Sequence, residues 1–190
     1  MLARLFRRNA YERAAYELYG IAVAAARNPW FYEALDVPDT LDGRFDLIGL
    51  HAFLIIRRLQ SAPDPGKTLA QAVFDAMFHD MDLNLREMGV GDLGVSKRIR
   101  IMWEAFHGRA AAYQPMIDAG DRGGLAAALA RNVWRGDGVT AGLPERLAEY
   151  VFDAAASLAA TSDAALRGGK FAFPAVPAAV PAEVPVEVTS

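Results

Sequence analysis

The residues of this chain best equipped to hold a metal or move a proton are its three histidines, His51, His79 and His107, and the carboxylates around them. His79 is followed at once by Asp80, with Asp75 and Asp82 close by. His51 stands upstream, and Asp118 and Asp121 stand downstream. An upstream His, a His-Asp pair and a later Asp together offer imidazole nitrogens and carboxylate oxygens, the donor types a divalent cation takes. Such a site forms only if the fold brings the donors together. His51 lies inside the apolar run "LIGLHAFLII", which is the setting of a buried, hydrogen-bonded histidine.

The element that carries His79 has a simpler reading of its own. Phe74, Phe78, Met81, Leu85 and Met88 recur at steps of four and three, which makes one helical stripe, and Val73 and Met77 widen it. That stripe faces either the core or a partner. Asp75, His79, Asp82 and Arg86 follow the same rhythm on the other side, with Asp82 and Arg86 in the favourable i, i+4 order. A solvated face with local ion pairs explains this spacing, and so does a polar surface that meets a partner. Further on, "VSKRIRIMWEAFHGR" gathers Lys97, Arg98, Arg100 and Arg109, with Ile99, Met102, Trp103 and Phe106 at helical spacing between them. Cations near a helix start oppose the dipole, so an anionic partner or neighbouring acids must hold them.

Several chemistries have no residues to carry them. The chain has no cysteine, so disulfides and thiol catalysis are excluded. There is no G-x-S-x-G nucleophile elbow, and "PDPGKT" lacks the glycine spacing of a phosphate-binding loop. The net charge of -3 gives no general attraction to nucleic acid, so no nucleic-acid sequence recognition is expected. The longest apolar run ends at Arg57 and Arg58, far short of the ~20 residues that span a bilayer. No metal or other cofactor is expected.

Positioning these residues requires helices, because apolar residues recur at helical spacing and no segment alternates with period two. The 190 residues suit one all-α domain. A basic arm covers residues 1–8, where Leu2, Leu5 and Phe6 lie among Arg4, Arg7 and Arg8; it is either a membrane-surface contact or a charged helix start. The domain covers 9–168, a bundle of about six to seven helices. Helices are expected over 9–27, from Pro29 to Leu35, and from a cap at Asp39 or Thr40 to Gln60. Others run from Lys67 to Met88, stopped by Gly89, and from a Ser96 cap to Ala112, with Pro115 interrupting or restarting the helix. Two more cover Leu125 to Trp134 and Pro144 to Leu166. The proline-, alanine- and valine-rich residues 169–190 read as an extended, largely disordered tail.

Two stretches resemble a known family. "NPWFYEALDVPDTLDGRFDLIGLH" and "MDLNLREMGVGDLGVSKRIRIMWEAFHGR" look like the ubiquinol–cytochrome c chaperone family, assembly factors for the cytochrome bc1 complex in mitochondria and alphaproteobacteria. The "D-x-N-L-R-E-M-G-V-G-D" run and the "F-x-G-R" ending are the most specific parts, and His107 stands where the family often has Tyr. The resemblance implies a non-enzymatic chaperone that binds newly made cytochrome b. It also implies partners: a ribosome near its exit tunnel and a small partner subunit. A chain of this length looks like a bacterial member, placed in the cytoplasm at the inner face of the inner membrane. On this reading Asp80, Asp82, Arg86, Asp92, Lys97 and Arg109 are rim residues of a client site, and Met88, Met102 and Phe106 line it. Asp39, Asp42, Gly43 and Arg44 match the family's turn and serve capping and chain reversal. The order His51, His79-Asp80 and Asp118 or Asp121 also resembles the HD-type metal phosphohydrolases, which are all-α too. That resemblance implies a metal-dependent hydrolase as the alternative.

Overall fold

The computed structural model describes the backbone of residues 2–136 and 139–177, with side chains from Tyr11 onward. All regular structure among these residues is helical: α1 Leu2–Ala26, α2 Pro29–Glu33, α3 Leu41–Gln60, α4 Gly66–Glu87, α5 Asp92–Ala119, α6 Arg122–Val133, α7 Leu143–Ala160 and α8 Asp163–Arg167. The expected all-α bundle is therefore present, and α2 and α8 are single turns.

The centre of the molecule is α3. Every residue from Phe45 to Ile56 is buried, so the helix has no solvent face and must be covered on all sides. It packs against α1, α4, α6 and α7, while α5 lies on α4 and α6. Its start is set locally. Thr40 caps it by accepting from the Gly43 amide at 3.1 Å, and Asp42 puts negative charge in the first turn. Position 43 requires glycine, because a Cβ there would lie 2.0 Å from the Pro38 carbonyl oxygen. Arg44 closes the turn with two bonds to Asp39, at 2.6 and 3.1 Å.

Four boundaries differ from the sequence expectation, each for a physical reason. First, α1 begins at Leu2, so the backbone expected as a separate arm continues this helix; the arm's side chains lie outside the described residues. Second, α5 starts at Asp92 rather than after a Ser96 cap. Gly89 takes φ +80° and closes α4 in a Schellman turn, with its amide on Arg86 and the Val90 amide on Leu85. Gly91 then supplies an extended N-cap, and Asp92 favours the new N-terminus. Lys97, Arg98 and Arg100 consequently lie beyond the first turn, where the dipole penalty has faded.

Third, Pro115 lies inside a continuous α5. It deprives the Ala111 carbonyl of its amide donor, but Ala111 and Pro115 are both exposed, so water can satisfy that carbonyl. Fourth, the helix expected over 144–166 breaks at Thr161. Ser162 caps α8, and Arg58 donates to the carbonyls of Leu158 and Thr161 at 3.1 and 2.9 Å while pairing with Asp163 at 2.7 Å. A distant arginine thus holds an α7 end that local pattern does not mark.

The segment expected as tail is non-helical where it is described, from Lys170 to Pro177. These first residues are nevertheless packed. Phe171, Phe173 and Val176 rest on the core, and the Phe173 ring stands 4.8 Å from that of His51. Residues 178–190 lie outside the described residues.

Candidate functional site

Helix α3 holds two buried polar side chains: His51 is hydrogen-bonded at both ring nitrogens, and Asp46 is faced by two guanidiniums. His51 has no solvent exposure. Its Nδ1 lies 2.7 Å from the Leu47 carbonyl oxygen and its Nε2 lies 2.8 Å from the Tyr150 hydroxyl. A carbonyl can only accept, so Nδ1 carries the proton and Nε2 accepts from Tyr150. Phe31, Tyr150 and Phe173 enclose the ring, and burial pushes its pKa down to about 4. Asp46 meets Arg109 at 2.7 Å and Arg135 at 2.8 Å. These are ion-pair contacts off the N–H axes, since neither carboxylate oxygen has an aligned hydrogen bond. Burial pushes the Asp46 carboxyl up to about 7, against the pull of the two guanidiniums.

The metal-ligand order is not assembled. His51 is engaged at both nitrogens, and Asp80 accepts from the Tyr19 hydroxyl at 2.6 Å. Asp118 pairs with Arg57 at 2.5 Å, and Asp121 caps α6 by accepting from the Gly124 amide at 2.8 Å. His79 is exposed on α4. Among the described residues, no three His, Asp or Glu side chains form a group able to hold a metal ion. Helix geometry explains the failure, because His51 points into the bundle while His79 points out of it.

The residues proposed for a client site divide between two settings. Asp80 ties α4 to α1, Arg109 holds Asp46, Phe106 is buried, and Met102 packs against the core. The others mark the corner where α4 meets α5. There Arg86 bridges Asp82 at 2.6 Å and Asp92 at 2.5 Å, which fixes the two helix ends together. Arg86 holds Asp82 below the usual carboxylate range. Met88 is 58% exposed at this corner and Lys97 is exposed on α5. Leu83, Leu93 and Ile101 join them at the surface, with Leu93 92% exposed. The sequence stripe on α4 is thereby divided: Val73, Met77, Met81 and Leu85 are buried, Phe74 and Phe78 are half-buried, and Met88 faces out.

Two clefts flank α4. One, of about 900 Å³, lies between α3, α4 and α5 and is lined by Phe53, Ile56, Phe74, Trp103, Phe106 and His107, among others. Phe74 and Trp103 both stack near His107, with ring centroids at 5.5 and 4.1 Å. Ala70, Ala110 and Ala111 leave the room, and Gln60, Gln71, Gln114 and Lys67 form the polar edge. Among the described residues, no carboxylate lines it. The second, of about 1280 Å³, lies between α1 and α4 and is lined by Tyr11, Tyr16, Thr68 and His79 with the carboxylates Glu12, Asp64 and Asp75. Lys67 and Gln71 line both clefts, so one ridge of α4 separates them. Of the residues expected at the client site, Phe106 lines the first cleft, beside Phe74, Trp103 and His107, which the sequence marked for other reasons. The signal that could have revealed the rest is the pairing of large aromatics with alanines one turn away, Phe74 with Ala70 and Phe106 with Ala110.

This apolar cleft on a helical body is the setting for comparison with known proteins. A family model described as ubiquinol-cytochrome C chaperone matches residues 33–173. The chain belongs to the ubiquinol–cytochrome c chaperone family. Among solved structures, it is similar to the Cbp3 homolog from Brucella abortus, with a TM-score of 0.80 and 39% identity over 92% of this chain and 97% of that one. It is 29% identical over 120 residues to ubiquinol-cytochrome-c reductase complex assembly factor 1 of Xenopus laevis, covering 63% of this chain and 60% of that protein. The human protein of that name is 28% identical over 138 residues, 73% of this chain and 46% of its own length. The chain thus spans about half the length of the two assembly factors. The family match ends at Phe173, so it includes the start of the packed segment after α8.

Proposed function

We propose that this chaperone-family member assists assembly of the ubiquinol–cytochrome c reductase complex by holding newly made cytochrome b until its partners join. The observation that carries the reading is the apolar cleft beside α5, built from aromatic rings and alanines with a rim of glutamines and Lys67 and, among the described residues, no carboxylate. An unassembled membrane protein exposes apolar segments, and a cleft of this lining shields them without forming bonds it must later break. The rim gives orientation, and its few charges keep release feasible. The role is non-catalytic on this reading: His51 and Asp46, the two buried polar groups of α3, are engaged by Leu47, Tyr150, Arg109 and Arg135 rather than turned to a cleft. The HD-type alternative has no assembled donor set to support it.

The client belongs to a membrane, and no helix among the described residues is long and apolar enough to cross one. Work at the inner face of the inner membrane, as a peripheral partner of the client, fits both facts. A ribosome near its exit tunnel and a small partner subunit are the further partners this reading includes. The test is a deletion strain combined with crosslinking. Deletion should lower the assembled reductase complex while cytochrome b synthesis continues. A photoreactive residue at Gln114, on the cleft rim, should capture cytochrome b in cells. Normal assembled complex in the deletion strain, or capture of an unrelated protein from Gln114, would overturn the proposal.

A further inference from the structure

The two clefts share a wall but differ in charge. Among the described residues, the α3/α4/α5 cleft is lined by Lys67 as its cation and by no acid. The α1/α4 cleft holds Glu12, Asp64 and Asp75 against the same Lys67, with Tyr11 and Tyr16 as its aromatic surface. Asp75 accepts from Gln71, a ridge residue, at 2.8 Å, so its carboxylate is held at the divide. Tyr16 is 52% exposed and open to a visiting chain. A segment leaving the apolar cleft over Lys67 and Gln71 therefore passes from an aromatic lining without described carboxylates into a tyrosine-lined cleft where Asp64 and Asp75 face it.

We propose that the two clefts form one composite site, and that its occupant is an apolar helical segment joined directly to a Lys- or Arg-bearing loop. The apolar part sits against Phe74, Trp103 and Phe106, and the cationic part enters beside Asp64 and Asp75. This chemistry is that of a membrane-spanning segment with its cytoplasmic flank, because loops on that side carry an excess of Lys and Arg. The inference rests on the client reading above and adds which part of a client is recognised. It also gives direction: the charge must follow the apolar stretch across α4, so the client's orientation in the site is fixed by charge as well as by fit.

The experiment uses the full chain and three fluorescent synthetic peptides. Each has the same ten-residue leucine- and alanine-rich helix, followed by four alternating Lys and Arg, four alternating Glu and Asp, or four Ser. Anisotropy should show the Lys/Arg peptide binding roughly tenfold tighter than the Ser peptide at low salt, with the advantage fading as salt rises. Photoreactive residues at Gln114 and Thr68 should capture the apolar and cationic halves respectively. The variant Asp64→Asn/Asp75→Asn alters only exposed side chains, so it should fold normally; it should erase the Lys/Arg advantage and leave Ser-peptide binding unchanged. If tail charge makes no difference, or the cationic half crosslinks away from Thr68, the composite site is wrong while capture at Gln114 keeps the client reading. If none of the peptides binds, both fall.

Discussion

Helices α3 and α5 are both studded with large apolar residues, yet they do opposite things. Along α3 everything from Phe45 to Ile56 is buried. Along the first half of α5 only Val95 is buried, and Leu93, Ile101 and Trp103 stand out in solvent. The difference is one of partners: α3 is packed by four helices and touched by α5 at Arg109 and Phe106, whereas α5 rests mainly on α4 and α6 and leaves its outer face bare. Apolar residues on α3 maintain the fold, and those on outer α5 are available to something else. Substitutions should therefore cost stability on α3 and cost none on outer α5.

The largest effect is expected where α5 reaches into α3. Arg109→Ala leaves the buried Asp46 with only Arg135, which is half-exposed. Breaking one partner of a buried pair costs about 3–5 kcal/mol, readable by urea denaturation at pH 8. The loss should shrink in acid. The folded Asp46 carboxyl titrates at about 7, above its unfolded value near 4, so the folded state takes up a proton first and escapes the unpaired charge as pH falls. A loss that grew on acidification would contradict this account of Asp46. Next comes Leu54→Ala, at the centre of α3 and 1% exposed, with an expected loss of about 3 kcal/mol.

The two polar groups of α3 bend the pH profile in opposite senses. His51 has its pKa lowered to about 4 in the fold, so it contributes stability above pH 6.5 that is lost as pH falls toward 4. Asp46 has its pKa raised, so its contribution is present below pH 4 and lost as pH rises through 7. The wild-type curve should be nearly flat between pH 4.5 and 6.5. Asp46→Asn removes one slope, and that variant should lose about 3 kcal/mol between pH 7 and 4. A flat profile in the variant would mean that His51 protonates without penalty. Nuclear magnetic resonance of the His51 ring should show the Nδ1-protonated tautomer with a midpoint near 4.

These contrasts also show what sequence could and could not disclose. The all-α class, the Thr40 cap and the Gly89 stop were legible because each depends on neighbours in the chain. The interior role of His51 was legible because it sits in an unbroken apolar run. The start of α5 was not, because two competing caps lie within five residues, and the Arg86–Asp92 contact that helps favour the earlier one joins two different helices. The break at Thr161 depends on Arg58, a hundred residues away, and the packing of Phe173 depends on a cleft made by α1, α2 and α7. Arg109 carried the same sequence signal as Lys97, a cation on an amphipathic helix. One of them turned inward to a carboxylate that no local pattern could assign to it.

The same ambiguity holds along α4, where the sequence shows one apolar stripe and the structure shows a gradient from buried Met77 to exposed Met88. Phe78 sits midway, half-buried and in ring contact with Phe74 and Phe106. Phe78→Ala should therefore cost about 2 kcal/mol, below the 3–5 of a fully buried Phe. A full core penalty would place that ring deeper than its exposure indicates.

The smallest expected effect is the sharpest test of the contrast between α3 and α5. Leu93 is 92% exposed on the first turn of α5, so in the isolated chain its side chain is as wet as in the unfolded one. Burial contributes nothing there, and Leu93→Ser should change stability by less than about 0.5 kcal/mol. The measurement is a urea midpoint compared with that of Leu54→Ala under identical conditions. Equal losses from both would mean that outer α5 is covered in solution by a second molecule. Near-zero loss at Leu93 beside a large loss at Leu54 would place the dividing line between fold and free surface along α5 itself, with Val95, Phe106 and Tyr113 inside it and Leu93, Ile101 and Trp103 outside.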